Sequence, residues 1–155
     1  MKNFNYIRTK EWILLVIALV ITVLYLIFAT PFYEMLYPGE AEYANEMYNN
    51  NMYFVVAVVS SLVVWSIGVL YYIFIDKYPQ FIVWFITFII VIALTPTVDF
   101  IYVNNEFQEL NIDDVLISNS LQNFAFVNIA VCAVYYFVLS LCIKGLSKNC
   151  ATTPF

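Results

Sequence analysis

Four apolar runs, separated by polar stretches of unequal length, organise the chain: residues 12–30, 53–75, 81–95 and 121–143. A helix needs about 20 predominantly apolar residues to cross a hydrocarbon core, and the runs meet or approach that length. The third is the shortest. It can continue through Pro96 toward Ile101, because neighbouring helices satisfy the backbone that a proline frees. The pattern therefore predicts an all-α integral membrane protein. Its four transmembrane helices, at 12–30, 53–75, 81–95 (or to 101) and 121–143, form one compact bundle and a single domain over residues 1–155. The first run could instead be a cleavable signal sequence. Its apolar stretch is long, however, and no small-x-small cleavage site follows, so an uncleaved helix is expected.

Composition strengthens this picture. The chain is 64% hydrophobic and only 11% charged, far from the balance of a soluble domain, so the bilayer is its main solvent. Beyond the runs there remain the connections 31–52, 76–80 and 96–120, too little for a separate soluble domain.

Charge placement sets an orientation. Lys2, Arg8 and Lys10 precede the first run, Lys77 lies in the short middle connection, and Lys144 and Lys148 follow the last run. The two long connections hold no Lys or Arg and carry Glu34, Glu40, Glu42, Glu46, Asp99, Glu106, Glu109, Asp113 and Asp114. By the positive-inside rule both termini are expected in the cytoplasm and both acidic loops outside, an asymmetry that suits a bacterial inner membrane.

Laid against itself at an offset of 65 residues, the chain aligns Thr30-Pro31-x-x-Glu34-x-x-Tyr37 with Thr95-Pro96-x-x-Asp99-x-x-Tyr102. At nearly the same offset Tyr71-Tyr72 matches Tyr135-Tyr136. The chain thus reads as two tandem copies of one helical hairpin in the same orientation, a parallel rather than an inverted repeat, which argues against a secondary transporter. Physically the motif reads as a helix boundary. Threonine caps, proline fits the first turn, and an acid there meets the positive end of the helix dipole. Either a short interfacial helix starts at each motif, or Pro31 and Pro96 kink the membrane helices near their outer ends.

Candidate chemistry is sparse. The chain has no histidine, which removes the commonest general base and metal or haem ligand. No ionisable residue is expected near the bilayer midplane, where proton relays and ion-coupled carriers keep theirs. The first run lacks the glutamate of small multidrug-resistance exporters, and the charged intramembrane positions of the membrane glutathione transferases have no counterpart. Cys132, Cys142 and Cys150 show no CxxC spacing and are expected to be packing residues rather than a redox centre. Polar residues within the runs are Thr22, Ser60, Ser61, Ser66, Thr87, Asn123, Asn128 and Ser140. Of these, Asn128 and Ser61 are the expected polar contacts between helices, and Ala57, Ser61 and Gly68 offer small surfaces for close approach.

Outside the runs, Glu42 and Glu46 share a face if 40–50 is helical, and Asp113 and Asp114 are adjacent. No EF-hand spacing is present, so no metal site and no cofactor are expected. Tyr33, Tyr37, Tyr43 and Tyr48, mixed with Met35 and Met47, suit either a docking face or the headgroup layer. The expected function is non-enzymatic: binding of another membrane or extracytoplasmic protein, as an accessory subunit or an immunity-type protein. The alternative is a homo-oligomeric ion channel with an acidic outer vestibule. The residues expected to carry docking or the vestibule are Glu34, Tyr37, Glu42, Glu46, Asp99 and Tyr102. Lipid is the other expected partner, and nucleic acid is not one.

Overall fold

The computed structural model describes residues 9–74, 81–109 and 115–144. Lys2, Arg8, Asp76, Lys77, Asp113, Asp114, Lys148 and Cys150 lie outside them. Six helices follow in chain order: α1 (Thr9–Ile27), α2 (Ala29–Leu36), α3 (Ala41–Asn49), α4 (Met52–Phe74), α5 (Phe81–Glu109) and α6 (Val115–Ile143). Three of them contain stretches long and apolar enough to span a membrane: Met52–Tyr72, Phe81–Glu109 and Asn119–Ile143. The first apolar run is broken, Trp12–Ile27 meeting Ala29–Leu36 at a bend of 71°.

The two copies of the Thr-Pro motif therefore fold differently. At the first, the chain turns at Phe28, whose N–H still bonds the Leu24 carbonyl and whose carbonyl accepts from Phe32. Pro31 is exposed and has no N–H to offer the Ile27 carbonyl, so the helix axis is free to break there. At the second copy α5 runs on to Glu109, and the stretch 96–109, expected to begin a loop, is helical. Pro96 is buried, and the same helix face is packed on both sides of it: Trp84, Thr87, Val91, Thr95, Asp99, Val103 and Phe107. Packing at both ends of a proline holds the helix through it, because neighbouring side chains rather than the one lost hydrogen bond decide its course. The connection 31–52 likewise contains α2 and α3, and α6 begins ahead of its expected start.

Helices α4, α5 and α6 pack on one another, α1 lies against α6 and α4, and α2 and α3 fold over one end. The α3 cap is amphipathic. Tyr43 and Met47, one turn apart, are fully buried, while Glu42, Asn45, Tyr48 and Asn49 face out. Gly39, which leads into α3, has φ +61°, and a Cβ there would stand 2.7 Å from Tyr43 Cδ1 and 3.3 Å from Tyr37 Cε1. Gly39→Ala should therefore combine a left-handed backbone penalty with a displaced tyrosine. We expect a loss of about 1–3 kcal/mol, seen as faster amide exchange in α3 with α4–α6 still protected.

The interior is layered. At the capped end Ala29, Tyr33, Tyr43, Met47, Tyr53, Val103, Phe107 and Phe124 form one apolar and aromatic cluster. At the far end Val64, Tyr71, Tyr72, Trp84, Val91, Tyr136, Leu139 and Ile143 form another. There Gly68 lets α4 approach α6 closely, since a Cβ would meet Ile143 Cδ1 at 2.9 Å. Between the two clusters α4, α5 and α6 each contribute buried polar residues: Ser60 and Ser61, Thr95 and Asp99, and Asn128. The outward faces carry large exposed apolar side chains, among them Ile13, Val20 and Ile27 on α1 and Ile82, Ile86 and Ile90 on α5. Such faces suit contact with lipid.

Candidate functional site

The polar layer is a hydrogen-bonded chain that ties five helices together. Ser60 Oγ on α4 donates to Asp99 Oδ2 on α5 at 2.8 Å, and Asn128 Nδ2 on α6 donates to the same oxygen at 2.8 Å. Asn128 Oδ1 in turn accepts from Tyr33 Oη on α2 at 2.7 Å, and Tyr33 Oη lies 2.6 Å from Tyr25 Oη on α1. Cys132, one turn beyond Asn128, sets its thiol against Ser60 Oγ at 3.8 Å and Asn128 Oδ1 at 3.7 Å. Tyr33, Ser60, Asn128 and Cys132 are fully buried, and Asp99 is 1% exposed. Asn128 uses both ends of its amide, which makes it the hub: its carbonyl is committed to the α1–α2 arm and its amino group to the α4–α5 arm.

The expected loop over 96–120 is thus corrected where it takes in Asp99, which lies buried within α5. Asp99 was placed in an outer loop because Pro96 resembled a helix boundary, yet it stands on the buried stripe of α5, level with Ser60. An ionisable side chain buried within apolar spans ordinarily marks function in a membrane protein. The other motif acid, Glu34, is half-buried on α2, so the two copies do not form equivalent positions.

Two smaller networks flank the layer. Thr22 Oγ1 bonds Tyr135 Oη at 2.8 Å and accepts from Trp65 Nε1 at 2.9 Å, joining α1, α6 and α4. Toward the far end Thr87 Oγ1 pairs with Tyr136 Oη at 2.8 Å, and Trp84 Nε1 donates to Ser140 Oγ at 3.2 Å. Most of the intramembrane polarity visible in the sequence is therefore internal glue. Ser66 and Asn123 are the exceptions, both exposed.

Of the residues expected to matter, the structure brings Asn128 and Asp99 into direct contact. Ser61 is buried beside Ser60, but its Oγ has no hydrogen-bond partner among the described residues. Tyr37 is half-buried with its ring edge-on to Tyr43, the centroids 6.1 Å apart. Tyr102 is half-buried on α5, away from the stripe that carries Asp99. Glu42 is exposed and Glu46 half-buried on α3, where Asn50 Nδ2 donates to Glu46 Oε2 at 3.1 Å. Sequence reasoning missed Tyr33, whose role depends on the bend at Phe28, and Ser60, which looked like one of several serines. Cys132 and Cys142 are buried free thiols.

Among the described residues no group of three or more His, Cys, Asp or Glu side chains converges. An apolar hollow of about 370 Å³ lies between the α1–α2 bend and α6, lined by Ile21, Tyr25, Phe32, Val131, Val134 and Tyr135. At the cap, burial raises the Tyr43 hydroxyl well above the ordinary tyrosine range, and the nearby Tyr53 and Tyr37 add to the effect. The chain matches no protein-family model, no curated protein and no solved structure.

Proposed function

We propose that the chain is a four-span membrane protein, α1 and α2 together making one broken span, that works without catalysis by docking another protein at its capped end. On this reading it is an accessory subunit of a membrane complex or an immunity-type protein. The positive-inside bias puts both termini in the cytoplasm of a bacterial inner membrane and the cap outside. One observation carries the reading. Many polar groups within the bundle pair with one another, and the cap turns a cluster of acidic and amphipathic side chains outward: Glu42 exposed, Glu34 and Glu46 half-exposed, with Tyr48 59% and Met35 75% exposed beside them. No Lys or Arg lies between residues 10 and 77, so the cap has no basic side chain of its own, and a cationic protein surface complements it.

Photo-crosslinking in intact membranes tests this. A crosslinker at position 48 should give one defined protein adduct, lost when Glu42 and Glu46 are both changed to Lys. One at Leu62, a lipid-facing position 64% exposed, should give none. A homo-oligomeric pore with an acidic vestibule is the alternative. It needs Glu34 and Asp99 together at a mouth, and Asp99 is buried in the polar layer. Liposomes carrying the purified protein should accordingly show no cation flux above empty liposomes. Flux abolished by Glu34→Gln would overturn the docking reading in favour of the pore.

A further inference from the structure

Asp99 Oδ2 accepts two hydrogen bonds, but its other oxygen, Oδ1, is buried with no partner among the described residues. Two more buried oxygens in the same layer are also unpartnered: Thr95 Oγ1, one turn before Asp99 on the same face of α5, and Ser61 Oγ, next to the serine that bonds Asp99. Thr95 is unusual in this. Thr22, Thr87 and Thr97 each return their hydroxyl to a carbonyl three or four residues back, at 2.7–2.9 Å, the common resting place for a helical threonine. Thr95, fully buried, does not. The layer thus holds three oxygens that neither the backbone nor one another satisfies.

The charge balance points the same way. A carboxylate inside apolar spans needs a countercharge, or else takes up a proton. No Lys or Arg lies between residues 10 and 77 or between 77 and 144, so α4, α5 and α6 have no basic side chain to offer within their apolar lengths. The unpartnered groups of the layer are all oxygens: one of a carboxylate and two of hydroxyls. Hard cations take such a set, whereas softer metals prefer nitrogen or sulfur. With a single carboxylate the set suits one positive charge, and divalent ions ordinarily recruit more carboxylates or water.

We propose that Asp99 Oδ1, Thr95 Oγ1 and Ser61 Oγ form a binding site for a small monovalent cation, with sodium as the probe, in the polar layer between α4 and α5. The ion neutralises Asp99 and joins the two helices where the bundle has least apolar packing. Through Asn128 the same carboxyl reaches Tyr33 on α2, so occupancy also steadies the segment that leads into the cap. The site stands on the buried oxygens alone, whatever the cap binds.

Thermal unfolding of the purified full chain in detergent tests the site, with sodium chloride exchanged for choline chloride at constant ionic strength and pH. The wild-type midpoint should rise with sodium concentration and saturate, as expected of a ligand held by the folded state only. Asp99→Asn, which keeps an acceptor for Ser60 and Asn128, should fold and show no sodium dependence. Thr95→Val should shift the sodium response to higher concentration by about tenfold or more, a loss of at least ~1.4 kcal/mol of binding. A wild-type midpoint that is the same in sodium and choline overturns the proposal. So does a sodium response that persists unchanged in Asp99→Asn, or a midpoint that follows pH alone and ignores sodium, which would put a proton on the carboxyl instead.

Discussion

Asn128→Leu should destabilise the bundle by about 2–4 kcal/mol. Leu keeps the branched four-heavy-atom skeleton of Asn, so no cavity is left and the lost hydrogen bonds dominate. The change removes the acceptor of Tyr33 Oη and one donor to Asp99 Oδ2, both in fully buried surroundings. An interhelical hydrogen bond in a membrane is worth roughly 0.6–2 kcal/mol, and a buried partner left unsatisfied adds its own desolvation cost. Two bonds on opposite ends of one amide bring the total to the range given. Denaturation in mixed micelles, followed by the helical circular dichroism signal, measures it. The double variant with Asp99→Ala should lose less than the sum of the two single changes, because once Asn128 is gone Asp99 has one hydrogen bond fewer to lose. Strict additivity would show that the 2.8 Å contact between them carries no coupling and that Asn128 acts on α2 alone.

The fate of Asp99 also shows how much of this site was readable in the sequence. Asn128 was legible, since an amide in an apolar run has to find a partner. The stripe on α5 was legible too: Trp84, Thr87, Val91, Thr95, Asp99, Val103 and Phe107 recur at helical spacing, and continued through Pro96 they put Asp99 on the core face. What hid it was local chemistry. Threonine, proline and an acid in that order are what a helix start requires, and the matching motif at Thr30 made a boundary at Thr95 more persuasive. At Pro31 the chain bends, although α2 starts ahead of the motif with Phe28 rather than Thr30 as its N-cap and no acid in its first turn, and at Pro96 packing on both sides carries the helix through. Tyr33 was not legible at all. Its place in the network depends on the 71° bend that lays α2 across the bundle, and no residue pattern sets that angle. The helical cap had the opposite standing. Glu42 and Glu46 share a face only if 40–50 is helical, and α3 supplies that helix, while its anchoring through Tyr43 and Met47 required knowing what lay beneath.

That anchoring gives the second large effect. Tyr43→Ala should cost about 3–5 kcal/mol, the usual range for emptying the place of a large buried aromatic. The Tyr43 ring is fully buried, with ring centroids at 6.1 Å from Tyr37, 5.8 Å from Phe107 and 6.2 Å from Phe124, so it fixes α3 to the ends of both α5 and α6. Because α3 sits on one end of the bundle, the damage should stay local. Amide exchange should rise across α3 while α4, α5 and α6 remain protected, and the crosslink from position 48 should disappear. Tyr43→Phe should be close to neutral, since the hydroxyl has no hydrogen-bond partner among the described residues and its removal leaves nothing else unpaired. The wild type and Tyr43→Phe also separate in alkali. Burial raises the Tyr43 hydroxyl above its unfolded value of about 10. The folded cap therefore keeps its full stability below that pH and loses it as the pH climbs above, where unfolding releases a proton that the folded state retains. Exchange in α3, corrected for the intrinsic base-catalysed rate, should accelerate above about pH 10 in the wild type and much less in Tyr43→Phe. If both accelerate equally, other buried tyrosines such as Tyr53 control the cap in alkali, and Tyr43 holds α3 by its ring alone.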